Sequence, residues 1–120
     1  MPKILVADDN PTVRATIAAA LEATGHEVTQ AADGGEAAAA LAAGPFDLLV
    51  TDLEMPIKGG LDLLQRVNAS ASPIPVIMVS GTWTREEKHR AKTLRAAALF
   101  EKAGIDLSDL VREVGRLLGP

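Results

Sequence analysis

Side chains that could carry chemistry follow short apolar runs along this chain. Asp8, Asp9, Asp52, Ser80 and Lys102 all lie just beyond such runs. A carboxylate can attack phosphorus and form an aspartyl-phosphate, while a hydroxyl and an ammonium group can stabilise the oxygens of the transferred group. Three neighbouring carboxylates would repel one another by up to about 4 kcal/mol per pair at 4 Å. A hard divalent cation such as Mg²⁺ would relieve that repulsion.

The elements that must position these groups are predicted from hydrophobic periodicity. Strands are expected over residues 3–7, 26–32, 46–51, 75–79 and 96–100, and helices over 11–24, 37–43, 61–67, 85–95 and 107–118. Asn10 and Thr84 are expected helix N-caps, and Asp33 with Glu36 resembles a capping box. Strands that alternate with helices predict an α/β fold with a parallel sheet and helices on both faces.

Convergence of the chemical groups depends on strand order. In the flavodoxin-like order 2-1-3-4-5, the third strand lies between the first and the fourth, and ligands bind beyond the carboxyl ends of the strands. Asp52 would then have Asp8 and Asp9 on one side and the Ser80 hydroxyl on the other. Lys102 would stand two strands away, within reach of its long side chain. The sequence therefore predicts that Asp52 accepts a phosphoryl group and that the other strand ends serve it.

Composition limits the class of protein. The 120 residues suffice for one domain, expected over 1–120, and 48% of them are hydrophobic. A net charge of −4 with 2% aromatic residues argues against direct DNA or other nucleic-acid binding. The chain has no cysteine, which fits a cytoplasmic location. No apolar run approaches the ~20 residues of a membrane span, so no membrane association is expected.

At this point the set of motifs resembles the receiver domains of response regulators in bacterial two-component signalling. The resemblance spans the whole chain. Its parts are Asp8-Asp9, the run from Asp52 through Met55-Pro56 to Gly60, Ser80-Gly81 and Lys102, in the family's order and spacing. No single motif is specific, but the set is.

The resemblance implies a role for each residue. Asp52 would take a phosphoryl group from a sensor histidine kinase, a phosphotransfer protein or a small phosphodonor. Asp9, Asp52 and the backbone carbonyl of Glu54 would bind Mg²⁺ or Mn²⁺ directly, with Asp8 assisting, often through water. Ser80 and Lys102 would hold the phosphoryl oxygens.

The resemblance also implies how the signal would leave the domain. Phosphorylation would change the binding of a downstream protein or output domain at the fourth helix, fifth strand and fifth helix. Such a domain catalyses only its own phosphorylation and dephosphorylation, so it is not an enzyme acting on other substrates.

Three positions depart from the family pattern. Lys102 is followed by Ala103 rather than the usual proline, so the bond between them is either a costly cis bond or trans. The position three residues before Lys102, usually a switch aromatic, is Leu99, and the neighbouring Phe100 should face the opposite side of the strand. Arg95 stands where glycine is common.

Three other functions remain as alternatives. A receiver-fold binding module that works without phosphorylation would have no need to keep a repulsive acidic triad. A phosphatase of the haloacid dehalogenase type needs a second acid two residues after the first, where this chain has Glu54, and it needs a cap domain. A flavodoxin-like FMN carrier needs a first loop rich in Ser and Thr, whereas this loop is acidic.

The remaining polar groups have ordinary explanations. His26 and His89 are expected on the solvated surface. The cations between Arg85 and Arg95 are explained by a solvated helix face, with a partner-docking face as the alternative. Trp83 is expected in an exposed loop, either incidental or as a docking anchor.

Overall fold

Five strands alternate with five helices in the computed structural model, which describes residues 1–119. The elements are β1 (Lys3–Ala7), α1 (Pro11–Glu22), β2 (Glu27–Ala31), α2 (Gly34–Ala43), β3 (Leu48–Asp52), α3 (Gly60–Asn68), β4 (Val76–Ser80), α4 (Arg85–Thr93), β5 (Ala98–Glu101) and α5 (Leu107–Leu118). The sheet order is β2-β1-β3-β4-β5, and each of its four pairings is parallel. The predicted α/β fold and strand order are confirmed.

Alternate residues of the central strands pack on opposite faces of the sheet, because successive side chains of a strand point to opposite sides. Ile4 and Val6 of β1 lie in the cluster that includes residues of α1 and α5. Leu5 and Ala7 lie in the cluster that includes residues of α2, α3 and α4. Both faces are therefore covered, which explains why β1, β3 and β4 are continuous apolar runs.

The strand register brings the predicted chemical groups to one edge of the sheet. Parallel strands end at the same edge, and β1, β3, β4 and β5 end there within two residues of one another. The paired positions nearest that edge are Ala7 with Thr51, Asp52 with Val79, and Ser80 with Glu101. Asp8 and Lys102 are each the first residue beyond their strand, so both lie at this edge.

Helix starts follow the side-chain caps that the sequence predicts. The Asn10 side chain accepts hydrogen bonds from the backbone N–H groups of Thr12 and Val13, at 3.0 and 3.1 Å, with Pro11 at the first helical position. Thr84 and Glu87 form the reciprocal capping box at the start of α4. Since these caps satisfy backbone donors left free at a helix start, they fix where each βα loop ends.

The Asp33 motif differs in one detail from the predicted capping box. Asp33 accepts from the Glu36 backbone N–H at 2.8 Å, as expected. The Glu36 carboxylate, however, accepts from the N–H of Ala32 rather than from that of Asp33. The helix begins at Gly34, three residues before the predicted start, because the Asp33 cap closes its first turn.

Two non-glycine residues occupy the left-handed region, where side chains are strained. Arg95, with φ of 65°, follows α4, and the Ala96 N–H bonds back to the Ala91 carbonyl at 2.9 Å. This is the helix-ending arrangement that normally uses glycine. Ile57, with φ of 74°, lies in the β3–α3 loop and is 77% exposed.

Two further observations concern the surface. His26 was expected to be solvated, but it is half-buried, and its Nδ1 atom is buried with no hydrogen-bond partner among residues 1–119. The prediction failed because the turn after α1 folds back, with the His26 N–H bonded to the Leu21 carbonyl. Within the part of the chain that the structure describes, no helix combines the length and hydropathy needed to cross a bilayer.

Gly34 provides a stability test of the loop beside the site. A Cβ atom at this position would lie 1.8 Å from the Lys58 carbonyl oxygen, so Gly34→Ala must force α2 away from the β3–α3 loop. We expect a loss of about 3 kcal/mol and a fall in Tm of roughly 10 °C, measured by thermal unfolding. Gly44→Ala is the matched control, because its new Cβ meets open space. Equal Tm values for the two variants would contradict the predicted clash.

Candidate functional site

Three carboxylates meet at the carboxyl edge of the sheet. Asp8 and Asp52 are buried, with 1% and 5% of their surface exposed, whereas Asp9 is exposed. One carboxylate oxygen from each lies within 4.8 Å of the others. The structure thus brings together the three acids that the sequence predicted to converge. Carboxylate oxygens are the ligands that Mg²⁺ prefers, so these residues could hold a hard divalent cation.

Lys102 joins the cluster from two strands away, as predicted. Its Nζ atom lies 2.9 Å from Asp52 Oδ2 and 3.0 Å from Asp8 Oδ2. Its backbone N–H bonds the Ser80 carbonyl at 2.8 Å, which extends the β4–β5 pairing by one residue and aims the side chain at the acids. The Lys102–Ala103 peptide bond is trans, since no cis bond occurs among residues 1–119.

Burial and the nearby Asp8 carboxylate make it costly for Asp52 to carry a negative charge. Burial raises the pKa of Asp52 and the charge of Asp8 adds to the rise, although the hydrogen bond from Lys102 partly offsets it. Burial alone would lower the pKa of Lys102, but its hydrogen bonds to Asp52 and Asp8 outweigh that and hold the pKa above its usual value. Lys102 is therefore a fixed cation within the acidic cluster.

Ser80 ends β4 at the same edge of the sheet, and its hydroxyl is bonded within its own loop. The side chain is buried at the end of β4, and its hydroxyl donates to the Thr82 carbonyl at 2.8 Å. Among the described residues it makes no hydrogen bond to Asp52. The structure therefore places Ser80 at the carboxyl edge of the sheet, and its role in the site stays a prediction.

The β3–α3 loop wraps closely around Asp52. The Glu54 N–H approaches Asp52 Oδ1 at 3.4 Å, and the Gly60 N–H bonds the Leu53 carbonyl at 2.8 Å. A Cβ atom at Gly60 would lie 2.5 Å from the Asp52 carbonyl oxygen. Only glycine allows α3 to start this close to the strand, which accounts for Gly60 in the motif.

Arg14 is a residue of the site that the sequence did not single out. From α1, one guanidinium nitrogen donates to the Asp8 carbonyl at 2.8 Å, and Nε donates to the Gln30 side chain at 3.2 Å. This cation holds the backbone of the first acidic loop in place. The sequence signal that could have identified Arg14 is its position four residues after the Asn10 cap. That spacing places both side chains on the same face of the helix.

Trp83 is half-buried rather than an exposed loop residue. Its indole Nε1 donates to the Phe100 carbonyl at 2.8 Å, and its ring packs against the same core cluster as Leu99. Phe100 packs on the opposite face of the sheet, as predicted. The expectation of exposure was wrong, because the indole needs a hydrogen-bond partner when buried and edge strand β5 supplies one.

A groove at the far end of the sheet is separate from this cluster. It has a volume of about 770 Å³ and lies between the ends of α2 and α3, where Leu41, Phe46, Val67 and Ile74 line it. None of the acids, Ser80 or Lys102 contributes to it. This groove and the acid cluster therefore share no residue.

Comparison with known proteins assigns the family. The model of the response regulator receiver domain matches residues 4–114. The gliding motility regulatory protein of Myxococcus xanthus is 34% identical over 117 residues, covering 96% of this chain but 15% of that protein. The response regulator receiver protein CpdR of Brucella abortus is 30% identical over 118 residues, covering 98% of each.

Solved structures agree with this assignment. A CheY-like receiver domain protein from Methanospirillum hungatei superposes with a TM-score of 0.92 at 27% identity, covering 98% of this chain and 94% of that one. Receiver domains are modules of two-component systems, and the matched relatives include both response regulators and sensor kinases. The chain belongs to the response regulator receiver domain family.

Proposed function

We propose that this chain is a phosphoacceptor switch of a two-component phosphorelay, in which Asp52 takes a phosphoryl group from a histidine of a sensor kinase or phosphotransfer protein. The observation that carries the proposal is the convergence of Asp8, Asp9 and Asp52 within 4.8 Å, with Lys102 bound to two of them. The histidine of the sensor kinase or phosphotransfer protein that would donate the phosphoryl group is proposed to lie in the cytoplasm. We therefore propose the same location for this chain.

The donor set supports a role for Mg²⁺ or Mn²⁺. Asp8 and Asp52 are buried carboxylates with Lys102 as their cation, and exposed Asp9 leaves one side of the cluster open to solvent. Asp9, Asp52 and the Glu54 carbonyl are the proposed direct ligands, with Asp8 assisting. A bound divalent cation would neutralise charge on the phosphoryl oxygens.

Phosphoryl transfer would proceed by in-line attack. An Asp52 carboxylate oxygen forms the new bond to phosphorus while the bond from phosphorus to the donor nitrogen breaks, and the released imidazole keeps the electron pair. Lys102, now 2.9 Å from Asp52 Oδ2, is placed to shift onto an oxygen of the transferred group. The domain promotes only its own phosphorylation and dephosphorylation and acts on no other substrate.

The proposed test is direct. After incubation with Mg²⁺ and acetyl phosphate, intact mass should show one added phosphoryl group, and fragmentation after borohydride reduction should map it to Asp52. Excess EDTA should suppress the uptake. No uptake with Mg²⁺ present, or a phosphoryl group mapped to another residue, would overturn the proposal.

The proposed output route runs through the β4–α4 loop. To bond a phosphoryl oxygen, the Ser80 hydroxyl must leave the Thr82 carbonyl that it now contacts at 2.8 Å. Trp83 follows Thr82 and is bonded to β5, and Thr84 caps α4. Movement of this loop would therefore reach the fourth helix and fifth strand, which with the fifth helix form the proposed face for a downstream partner.

Trp83 fluorescence provides a prediction for this route. Because Trp83 is the only tryptophan, acetyl phosphate with Mg²⁺ should change its emission intensity in the wild-type protein. Ser80→Ala should lose most of that change at equal phosphoryl occupancy, since no hydroxyl remains to pull the loop. Trp83→Phe should keep phosphoryl uptake and serves as the blank. A full emission change in Ser80→Ala would rule out this route.

A further inference from the structure

Arg14 is a cation beside the acidic cluster that pairs with no carboxylate. Among residues 1–119 it makes no ion pair, although α1 starts directly after the first acidic loop. Its hydrogen bonds there go to neutral oxygens instead, the Asp8 backbone carbonyl at 2.8 Å and the Gln30 side chain at 3.2 Å. These contacts point to a role in orienting the loop rather than in neutralising its acids.

The position of Arg14 in α1 is unfavourable for the helix itself. It lies in the first turn, where the positive end of the helix dipole disfavours cations and favours acids. No acid occupies this turn, and the Asn10 cap already binds two of its free N–H groups. Helix stability therefore does not account for the arginine, which leaves its contacts near the ends of β1 and β2 as its role.

The bond from Arg14 to the Asp8 carbonyl bears on the direction of Asp9. The peptide group between the two acids is planar, so holding its carbonyl oxygen also fixes how the chain enters Asp9. The Asp8 carboxylate is held by Lys102 and by the Asn10 N–H. The Asp9 side chain, in contrast, is exposed and makes no hydrogen bond among residues 1–119. Its placement therefore depends on its backbone.

We propose that Arg14, supported by Gln30, is a positioning residue for the divalent-cation site. It holds the Asp8–Asp9 peptide so that the Asp9 carboxylate stays within 4.8 Å of the other two acids. This role depends on the proposed function, because Asp9 is a ligand only if the site binds Mg²⁺ or Mn²⁺. Residues that orient metal ligands without binding the metal typically contribute roughly 10–100-fold to metal affinity.

The sign of the effect separates positioning from charge. A cation repels Mg²⁺, so the charge of Arg14 by itself would weaken metal binding, and its removal would strengthen it. If Arg14 orients Asp9, its removal has the opposite effect, because the peptide loses the donor that holds it. Weaker metal binding after removal of a cation is therefore the result that a positioning role predicts.

Metal binding is measured first without any phosphodonor. The free-ion signal of Mn²⁺ in electron paramagnetic resonance gives the Kd of the full chain and of each variant. Arg14→Met keeps an unbranched, helix-forming side chain but removes the donor, and it should raise the Kd about 10-fold. Arg14→Lys should recover part of the affinity, because it retains a donor for the Asp8 carbonyl but lacks the fork that also bonds Gln30.

Arg66→Met is the matched control. Arg66 is an exposed helical arginine with no ion pair among residues 1–119, and it lines the groove at the far end of the sheet. The same change there should leave the Mn²⁺ Kd within about twofold of the wild type. Gln30→Ala should raise the Kd about twofold, and adding it to Arg14→Met should cause no further loss, since both changes release the same loop.

A second measurement separates positioning from a general effect on stability. With acetyl phosphate as donor, Arg14→Met should need about 10-fold more Mg²⁺ for half-maximal phosphoryl uptake but reach a rate within about threefold of the wild type at saturation. A general loss of stability would lower the Tm in EDTA without moving the Mg²⁺ midpoint. Uptake by the wild type tests the proposed function, whereas the shift of the midpoint tests Arg14.

Four results would overturn the role of Arg14. They are no Mn²⁺ binding by the wild type, an unchanged or lower Kd in Arg14→Met, an equal loss in Arg66→Met, and a slower saturated rate with an unchanged Mg²⁺ midpoint. Losses that multiply in the double variant would overturn the support by Gln30. A wild type that binds Mn²⁺ with the expected dependence on Arg14 but takes up no phosphoryl group would support this role and overturn the proposed function.

Discussion

Asp52→Asn should abolish phosphoryl uptake from acetyl phosphate while leaving the fold intact. The amide is not a nucleophile toward phosphorus, and Asp52, the proposed acceptor, ends the central strand β3 between β1 and β4. Intact mass measures the uptake. Asp109→Asn, the same chemical change at an exposed position on α5, should retain wild-type uptake. Residual labelling of Asp52→Asn at a wild-type rate would place the acceptor elsewhere.

The same variant should be more stable than the wild type when divalent cations are removed. Burial and the nearby charge of Asp8 raise the pKa of Asp52 above its usual 3.8, so the folded state binds this proton more tightly than the unfolded state does. The free energy of unfolding of the wild type therefore falls as pH rises from 3.8 through the raised pKa, and the cost persists at neutral pH. The neutral amide in Asp52→Asn has no charge to bury and therefore does not lower the free energy of unfolding in this way.

Thermal unfolding in EDTA checks this expectation. At pH 7.5, Asp52→Asn should melt roughly 2–6 °C higher than the wild type, the shift that about 1 kcal/mol produces in a small domain. The gap should narrow as pH is lowered toward 4. Saturating Mg²⁺ should stabilise the wild type more than the variant. A lower Tm for the variant in EDTA would mean that the ion pair with Lys102 outweighs the cost of burying the charge.

Lys102→Ala should have the second large effect, on both stability and chemistry. It removes the cation from two buried carboxylates at 2.9 and 3.0 Å, so we expect a loss of about 3 kcal/mol in EDTA. Phosphoryl uptake should slow by about 10²–10³-fold, the usual cost of removing a group that stabilises transition-state charge. The measurements are chemical denaturation and the rate of mass gain. Lys92→Ala, at an exposed lysine without an ion pair among residues 1–119, is the control.

The ion pairs of Lys102 with Asp8 and Asp52 should stabilise the fold throughout the neutral pH range. Because its folded-state pKa lies above the usual 10.5, its stabilisation is fully present below pH 10.5 and is lost as pH rises through the raised value. The stability difference between the wild type and Lys102→Ala in EDTA should therefore be nearly the same at pH 6.5 and pH 8.5. A difference that collapses between these values would contradict the proposed pairing.

Local sequence signals were sufficient to predict the fold. Asn10 and Thr84 carry the hydrogen-bonding side chains that helix starts need, and both caps are present. The apolar runs of β1, β3 and β4 predicted strands covered on both faces, which the two clusters confirm. The convergence of Asp8, Asp52 and Lys102 followed from strand order alone, because parallel strands deliver their ends to one edge.

The parts that sequence reasoning missed depend on contacts between distant segments. The local sequence pattern predicts that Trp83 lies in a loop. Its indole reaches the Phe100 carbonyl only because β5 lies beside that loop in the folded chain. The orientation of the Ser80 hydroxyl depends on the path of the backbone at Thr82. Arg95 adopts a left-handed conformation that its side chain disfavours, so the neighbouring elements must impose it.

The Lys102 contacts join the first and last strand ends in the chain, since the bond from its Nζ to Asp8 Oδ1 links residues 94 positions apart. β5, which presents Lys102, is an edge strand and the last to be made. During synthesis on the ribosome, the acids of β1 and β3 would emerge well before this lysine. A nascent or truncated chain lacking β5 would carry the aspartates without their cation, so the ion pairs of the cluster form only once β5 has joined the sheet.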